Sequence, residues 1–290
     1  MNWDLAQLQA LSAAVAEGSF EAAARLLHVT PSAISQRIKA LETGVGRVLL
    51  IRARPLRLTP AGEALLRLAR QIELVLDDAA RELSQEQQRE LAVVTLAVNA
   101  DSLATWLPAA LAAVDPPVCL DLRRADETRT AELLRDGTVS AAVTALAEPV
   151  PGCTVSSLGR MRYRPRASLQ FVERWFGAGV TAATLAAAPV VVFDRTDVLQ
   201  DSYLRRRSKR QLRPPRHHVP GSWAFAEAVR LGLGWGMVPD LQTSAGDGLI
   251  EIDPGGAIDV HLYWQQWRLR SATVERVAEA VRAQAELVLD

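Results

Sequence analysis

The chain has 290 residues, 49% of them apolar, and its 33 basic residues balance 33 acidic ones. This length asks for two or three domains with real cores, and the composition excludes wholesale disorder. No stretch of 18 apolar residues is present to span a membrane, and the opening MNWDLAQLQA is amphipathic rather than a secretion signal, so a cytoplasmic, nucleoid-associated protein is expected.

Leu5 to Glu17 reads as a first helix with Leu5, Leu8, Leu11 and Val15 on one face. Ser19 then caps a short helix whose apolar face is Ala22, Ala23, Leu26 and Leu27. His28-Val29-Thr30 interrupts the pattern, and Thr30 caps a second helix with Pro31 at its first position. That helix buries Ala33, Ile34, Ile38 and Leu41 and turns Ser32, Ser35, Gln36, Arg37 and Lys39 outward. The pair is a helix-turn-helix whose second helix suits the DNA major groove.

Amphipathic helix pairs are common, and a charged face can simply be solvated. Here the charge is local. Between Arg25 and Arg57 the basic residues are Arg25, Arg37, Lys39, Arg47, Arg52, Arg54 and Arg57, and Glu42 is the only acid. A phosphate footprint requires such a concentration. Val48–Ile51 and Leu56–Leu58 read as a two-stranded wing that sets Arg52, Arg54 and Arg57 on the DNA backbone. Thr30, Ser32, Ser35, Gln36, Arg37 and Lys39 are the other DNA-reading candidates.

Thr59-Pro60 caps a long helix from Ala61 to about Arg89, roughly 40 Å long. Its stripe of Leu65, Leu68, Ile72, Val75, Leu76, Ala79 and Leu83 is too long for a 60-residue domain to cover, so a second subunit is the expected partner. Packing on the chain's own C-terminal domain is the alternative. The polar stretch 84–90 reads as a hinge.

From Leu91 strands and helices alternate, which argues for a parallel α/β sheet. Strands are expected at Val93–Val98, Val118–Leu122, Ala141–Thr144, Val190–Phe193, His217–Val219, Gly236–Val238 and Ile258–Trp267. Helices are expected from Asp101 to Ala113, Thr130 to Arg135, Asp197 to Arg206, Ser222 to Arg230 and Ala272 to Leu289. The domains are therefore a winged helix-turn-helix at 1–58, a linker and dimerisation helix with hinge at 59–90, and a two-lobed, periplasmic-binding-protein-like α/β module at 91–290. Lobe 1 covers about 91–162 and 268–290, and lobe 2 about 163–267. Ligands in such modules bind at the carboxyl ends of strands.

Cys119 and Cys153 read as buried free thiols. No Cys/His spacing supports a metal site, and no cofactor is expected. The chain shows no nucleophile elbow, zinc-protease motif or phosphate loop, and Gly232, Gly234 and Gly236 fall between a helix and a strand, the wrong order for phosphate. It is therefore read as a non-enzyme. The basic run Arg205–His218 reads as a solvated helix end and loop rather than a second nucleic-acid site.

The segments AAARLLHVTPSAISQRIKALE and LLIRARPLRLTPAGEALL, with the two-lobed module behind them, resemble the LysR-type transcriptional regulators over the whole length. LAVNADSLATW (Leu96–Trp106), DETRTAELLRDG (Asp126–Gly137) and LYWQQW (Leu262–Trp267) resemble the branch of that family that senses basic amino acids. The resemblance implies a homodimer or homotetramer bound to double-stranded promoter DNA. It also implies an activator of amino-acid export responsive to L-lysine or L-arginine, in contact with RNA polymerase. An architectural inhibitor of chromosome replication initiation, indifferent to amino acids, is the alternative. One departure concerns Pro31: the family often has Gln there, so base reading shifts to Thr30 or Ser32, or becomes apolar.

A basic amino acid needs donors for its carboxylate and acids for its cations. Asp101 and Ser102 follow the first strand at a helix start; Asp126, Glu127 and Thr128 follow the second. Asp194 follows the strand Val190–Phe193 in the other lobe, and Trp223 opens a helix where it can lie along the methylene stem. Asp101 is equally a plain N-cap, Asp126 and Glu127 can be surface acids, and Trp223 can belong to the core.

Overall fold

The computed structural model describes residues 3–51, 53, 56–83, 91–269 and 271–290. The N-terminal unit is built from local cap chemistry. Asp4 caps α1 (Leu5–Glu17), which ends at Gly18. Ser19 Oγ accepts from Ala22 N at 3.1 Å to start α2 (Phe20–Leu26). Thr30 Oγ1 accepts from Ala33 N at 3.2 Å to start α3 (Pro31–Val45), with Pro31 in the first turn. Leu8, Leu11, Ile34, Ile38 and Leu41 form the core between them. The wing is β1 (Leu50–Ile51) against β2 (Arg57–Leu58), antiparallel. Glu42, the lone acid in the basic stretch, fastens this wing to α3: its Oε1 accepts from Leu49 N at 2.8 Å and Leu50 N at 3.3 Å. Arg52 and Arg54 lie outside the described residues, as does the expected hinge at 84–90.

Thr59 Oγ1 accepts from Gly62 N and starts α4 (Pro60–Leu83). A Cβ at Gly62 would meet the Leu49 carbonyl oxygen, so only glycine lets the helix sit this close to the wing. The 24 residues span about 36 Å. Leu65, Leu66 and Ala69 are buried in the reader's core. Leu74 packs instead on the C-terminal module, while Val75, Leu76 and Leu83 are exposed.

The C-terminal module begins with β3 (Val93–Val98), α5 (Ala100–Ala104), α6 (Leu107–Ala112), β4 (Cys119–Arg124), α7 (Glu127–Arg135) and β5 (Ala141–Thr144). β3 runs parallel to both β4 and β5. There follow β6 (Cys153–Ser168), α8 (Leu169–Phe176), α9 (Ala182–Ala187), β7 (Val190–Val192), α10 (Leu199–Arg207), β8 (Arg216–His218), α11 (Ser222–Arg230) and β9 (Gly236–Pro239). A 3-10 turn (Asp240–Gln242), β10 (Leu249–Glu251), β11 (Ile258–Trp267) and α12 (Ala272–Val288) complete the chain.

The main sheet has the order β10-β6-β11-β5-β3-β4, with β9 also on β6. It is mixed, not wholly parallel, because β6 and β11 return antiparallel from Tyr163 opposite Ile258 to Cys153 opposite Trp267. These two long strands run through both lobes, so the lobe edges drawn at 162 and 267 meet continuous strands. β7 and β8 form a separate parallel pair in lobe 2.

Two further expectations change. The helix expected from Asp101 to Ala113 is broken at Thr105-Trp106 into α5 and α6, and its cap is Asn99, whose side chain accepts from Ser102 N at 3.0 Å. Cys119 is exposed, because it starts the edge strand β4 with its side chain turned from the core. Cys153 is buried, and burial pushes its thiol up to about 11.

Candidate DNA-reading surface and effector cleft

α3 exposes Ser32, Gln36 and Lys39 at helical spacing, with Ser35 and Arg37 half-buried on its flanks. Thr30 Oγ1 accepts the capping bond and lies 2.9 Å from Ser32 Oγ, so these hydroxyls steady the helix start as well as facing outward. Arg57 is exposed on the wing. Arg25 and Arg47 are exposed as well, so the reader's surface carries several further basic donors.

Between the lobes lies a cleft of about 640 Å³. Its floor is set by the ends of β3, β4 and β7 and the starts of α7 and α10. The structure brings Asp101, Asp126, Glu127, Thr128 and Asp194 to its lining. It does not bring Ser102 or Trp223 there. Ser102 is fully buried behind the cleft wall, its Oγ without a partner. Trp223 is 70% exposed; Phe225 is the residue of α11 that lines the cleft.

Each carboxylate is held differently. Asp101 Oδ1 accepts from Ser222 Oγ at 2.5 Å and its Oδ2 from Tyr163 OH at 2.7 Å. Asp126 caps α7, accepting from Arg129 N at 2.7 Å. Asp194 accepts from the hydroxyl and N–H of Thr196, each at 2.7 Å, and these bonds hold its carboxyl below the ordinary range.

A further acid that the sequence patterns do not single out, Asp197, also lines the cleft. Its Oδ2 accepts from Phe193 N at 2.8 Å and its Oδ1 from Leu199 N at 3.0 Å, and burial nevertheless pushes its carboxyl up. Tyr163 faces both Asp101 and Asp197, and burial with those charges raises its hydroxyl well above the usual value, so it remains a neutral donor. Arg124, at the end of β4, reaches across to the Pro220 carbonyl at 3.2 Å and lies over the Phe193 ring. Of the charged lining residues, Asp101, Asp126, Glu127, Asp194 and Asp197 are acidic and Arg124 and Arg129 basic, an excess of three negative charges (five against two). Such a concave, acid-rich site favours a cation.

α7 joins this cleft to the linker helix. Its first residues line the cleft. Past its other end, Arg67 Nη1 of α4 donates to Arg135 O at 3.0 Å, and Arg70 Nη1 donates to Asp136 O at 3.4 Å and Thr138 Oγ1 at 3.1 Å. Two guanidiniums thus meet the negative end of the helix dipole. Gly137 (φ +78°) makes this approach possible, since a Cβ there would lie 2.9 Å from Arg67 Cα. Farther along α4, Asp78 accepts from Ser271 Oγ at 2.5 Å and Thr273 Oγ1 at 2.6 Å. On its other side α4 contacts the reader, where Ser12 Oγ donates to Glu73 Oε2 at 3.1 Å.

In the basic run, Arg207 pairs with Asp253 at 3.3 Å and Arg216 with Asp201 at 2.5 Å, so part of the segment expected to be simply solvated is ion-paired. Among the described residues no group of His, Cys, Asp and Glu is placed to hold a metal, and no helix is long and apolar enough to cross a membrane.

A winged reader joined by a long helix to a two-lobed binding module defines a ligand-responsive, DNA-binding regulator of transcription. Residues 5–63 match the bacterial regulatory helix-turn-helix protein family, lysR type, and residues 84–286 match the LysR substrate binding domain. The chain belongs to the LysR family of transcriptional regulators. It is 44% identical over 281 residues to the lysine export transcriptional regulatory protein LysG of Corynebacterium efficiens, covering 94% of this chain and 95% of that protein. Its fold matches the crystal structure of ArgP from Mycobacterium tuberculosis with a TM-score of 0.91 and 45% identity, over 98% of this chain and 97% of that one. It also matches full-length LysG of Corynebacterium glutamicum with bound effector Arg, with a TM-score of 0.84 and 38% identity over 99% of each chain. Within the family the chain is thus of the LysG/ArgP type, a regulator and not an enzyme.

Proposed function

We propose that this regulator binds a basic L-amino acid, L-arginine or L-lysine, in the interlobe cleft and activates a gene for amino-acid export. The observation that carries this reading is the acid excess of the cleft, to which Asp197 contributes. Arg124 and the N–H groups at the start of α7 are suited to the ligand carboxylate, and Asp194 and Asp197 to its distal cation. The C. glutamicum relative holds Arg as effector, and the C. efficiens relative is named for lysine export. Those two names support the same ligand class and target here.

Ligand closure of the lobes moves the start of α7, and its far end carries the change to Arg67 and Arg70 of α4. The exposed Val75, Leu76 and Leu83 of α4 are the proposed seam between subunits, so a shift of this helix changes the spacing of paired readers on DNA. Contact with RNA polymerase follows from an activator's role. The architectural alternative, DNA binding without an amino-acid response, leaves the acidic cleft without a task. Footprinting on the promoter beside the exporter gene, with and without L-arginine, tests the proposal. An altered footprint supports it; an identical footprint with and without each basic amino acid favours the architectural alternative.

A further inference from the structure

We propose that Gln200 determines ligand specificity: its side-chain oxygen accepts an N–H from the ligand's distal cation and completes, with Asp197, a guanidinium or ammonium subsite in lobe 2. This rests on the reading of the cleft as a basic-amino-acid site.

Gln200 stands in the first turn of α10, lines the cleft and is only 1% exposed. Asp197, three residues before it, lines the same cleft. Of the amide's two ends, the oxygen is the one left unsatisfied. That oxygen is buried and has no hydrogen-bond partner. A buried acceptor without a donor is unfavourable, and it becomes favourable once a ligand brings the donor.

The neighbouring carboxylate selects which donor. Asp197 is steadied by two backbone N–H groups, and Arg216, whose charge it feels, is already paired with Asp201. A neutral donor would satisfy Gln200 but leave Asp197 as it is. A guanidinium or ammonium group satisfies both, because it is cationic and has several N–H donors and no acceptor. The planar fork of a guanidinium spans a carboxylate and an amide oxygen side by side, whereas an ammonium offers three donors from one point. The pair therefore recognises the distal group of arginine or lysine and discriminates against an amino acid whose side chain ends in a neutral or acidic group.

Calorimetry of the full chain with L-arginine and L-lysine tests this on wild type, Gln200→Met and Gln200→Glu near pH 8. Gln200→Met keeps the shape and removes the acceptor, so the Kd for arginine should rise roughly ten- to a hundredfold. Gln200→Glu keeps an acceptor and should retain binding. Wild-type-like binding by Gln200→Met, or equal losses in both variants, overturns the assignment, because the oxygen then contributes nothing of its own. A measurement on wild type alone makes the same decision: the Gln200 side-chain carbonyl 13C resonance should shift on addition of L-arginine, and an unmoved resonance overturns the proposal. If wild type binds neither amino acid, the reading of the cleft itself fails. If wild type binds and the variants behave alike, only the role of Gln200 fails.

Discussion

Asp101 of lobe 1 accepts a 2.5 Å hydrogen bond from Ser222 of lobe 2, so a carboxylate expected to face the ligand also ties the lobes together. Its second oxygen takes the buried Tyr163 hydroxyl. Asp101→Ala should therefore destabilise the protein by about 1–3 kcal/mol, the cost of leaving Tyr163 without an acceptor. Ser222→Ala removes only the bond between lobes and should cost about 0.5–1.5 kcal/mol. Chemical denaturation of the three proteins checks the order; equal stabilities would show that the clasp is immaterial.

Arg70 of α4 is half-buried against the regulatory module, and desolvation lowers its pKa even with Asp136 and Glu73 beside it. Arg70→Ala should leave arginine affinity unchanged while abolishing the arginine-dependent change in promoter footprint. Gly137→Ala, which forces a Cβ onto Arg67, should do the same. Paired titrations and footprints on each variant decide this, and a wild-type footprint response from both would remove α7 from the coupling route.

The Asp197 carboxyl is raised by burial and by Asp194, against the backbone N–H groups that lower it. In the ligand-free fold this group contributes stability below the unfolded aspartate pKa and loses that contribution as pH rises through its folded value. A bound cation reverses the preference by favouring the charged form. Arginine affinity should accordingly fall as pH drops from neutral through the raised Asp197 value, with proton uptake on ligand release. Calorimetry in buffers of different ionisation heat measures both quantities; pH-independent affinity would mean that Asp197 does not face the cation.

On the reader, Gln36→Ala should weaken operator binding by about 1–3 kcal/mol and relax preference at one base pair. Arg37→Ala should cost a similar amount if this half-buried side chain reaches a base. Lys39→Ala should weaken all sequences alike and reduce the salt slope by about 1. Fluorescence titrations on operator and scrambled duplexes at several salt concentrations separate these outcomes.

The reader was legible because its signals are local. Ser19, Thr30 and Pro31 announce their own helix starts, and α1, α11 and β11 have the limits their patterns indicate. The cleft was legible only where an acid follows a strand directly, as at Asp126 and Asp194. Tyr163 went unread because β6 went unread. Its signal was present: Met161, Tyr163 and Ala167 are buried while Arg160, Arg162, Arg164 and Arg166 alternate with them and pair with acids of neighbouring elements. Asp197 and Gln200 belong to the cleft because α10 packs behind β9, and neither residue's local sequence reveals that contact. For α4 the structure shows the alternative, docking on its own regulatory module through Arg67, Arg70 and Asp78, while Val75, Leu76 and Leu83 stay exposed.

The central claim, a cation-sensing cleft, is tested most directly by calorimetry of the full chain with L-arginine, L-lysine, L-histidine, L-glutamine and L-leucine. The account predicts saturable binding of arginine or lysine and no binding of glutamine or leucine. No heat with any basic amino acid, or equal binding of leucine, would contradict it.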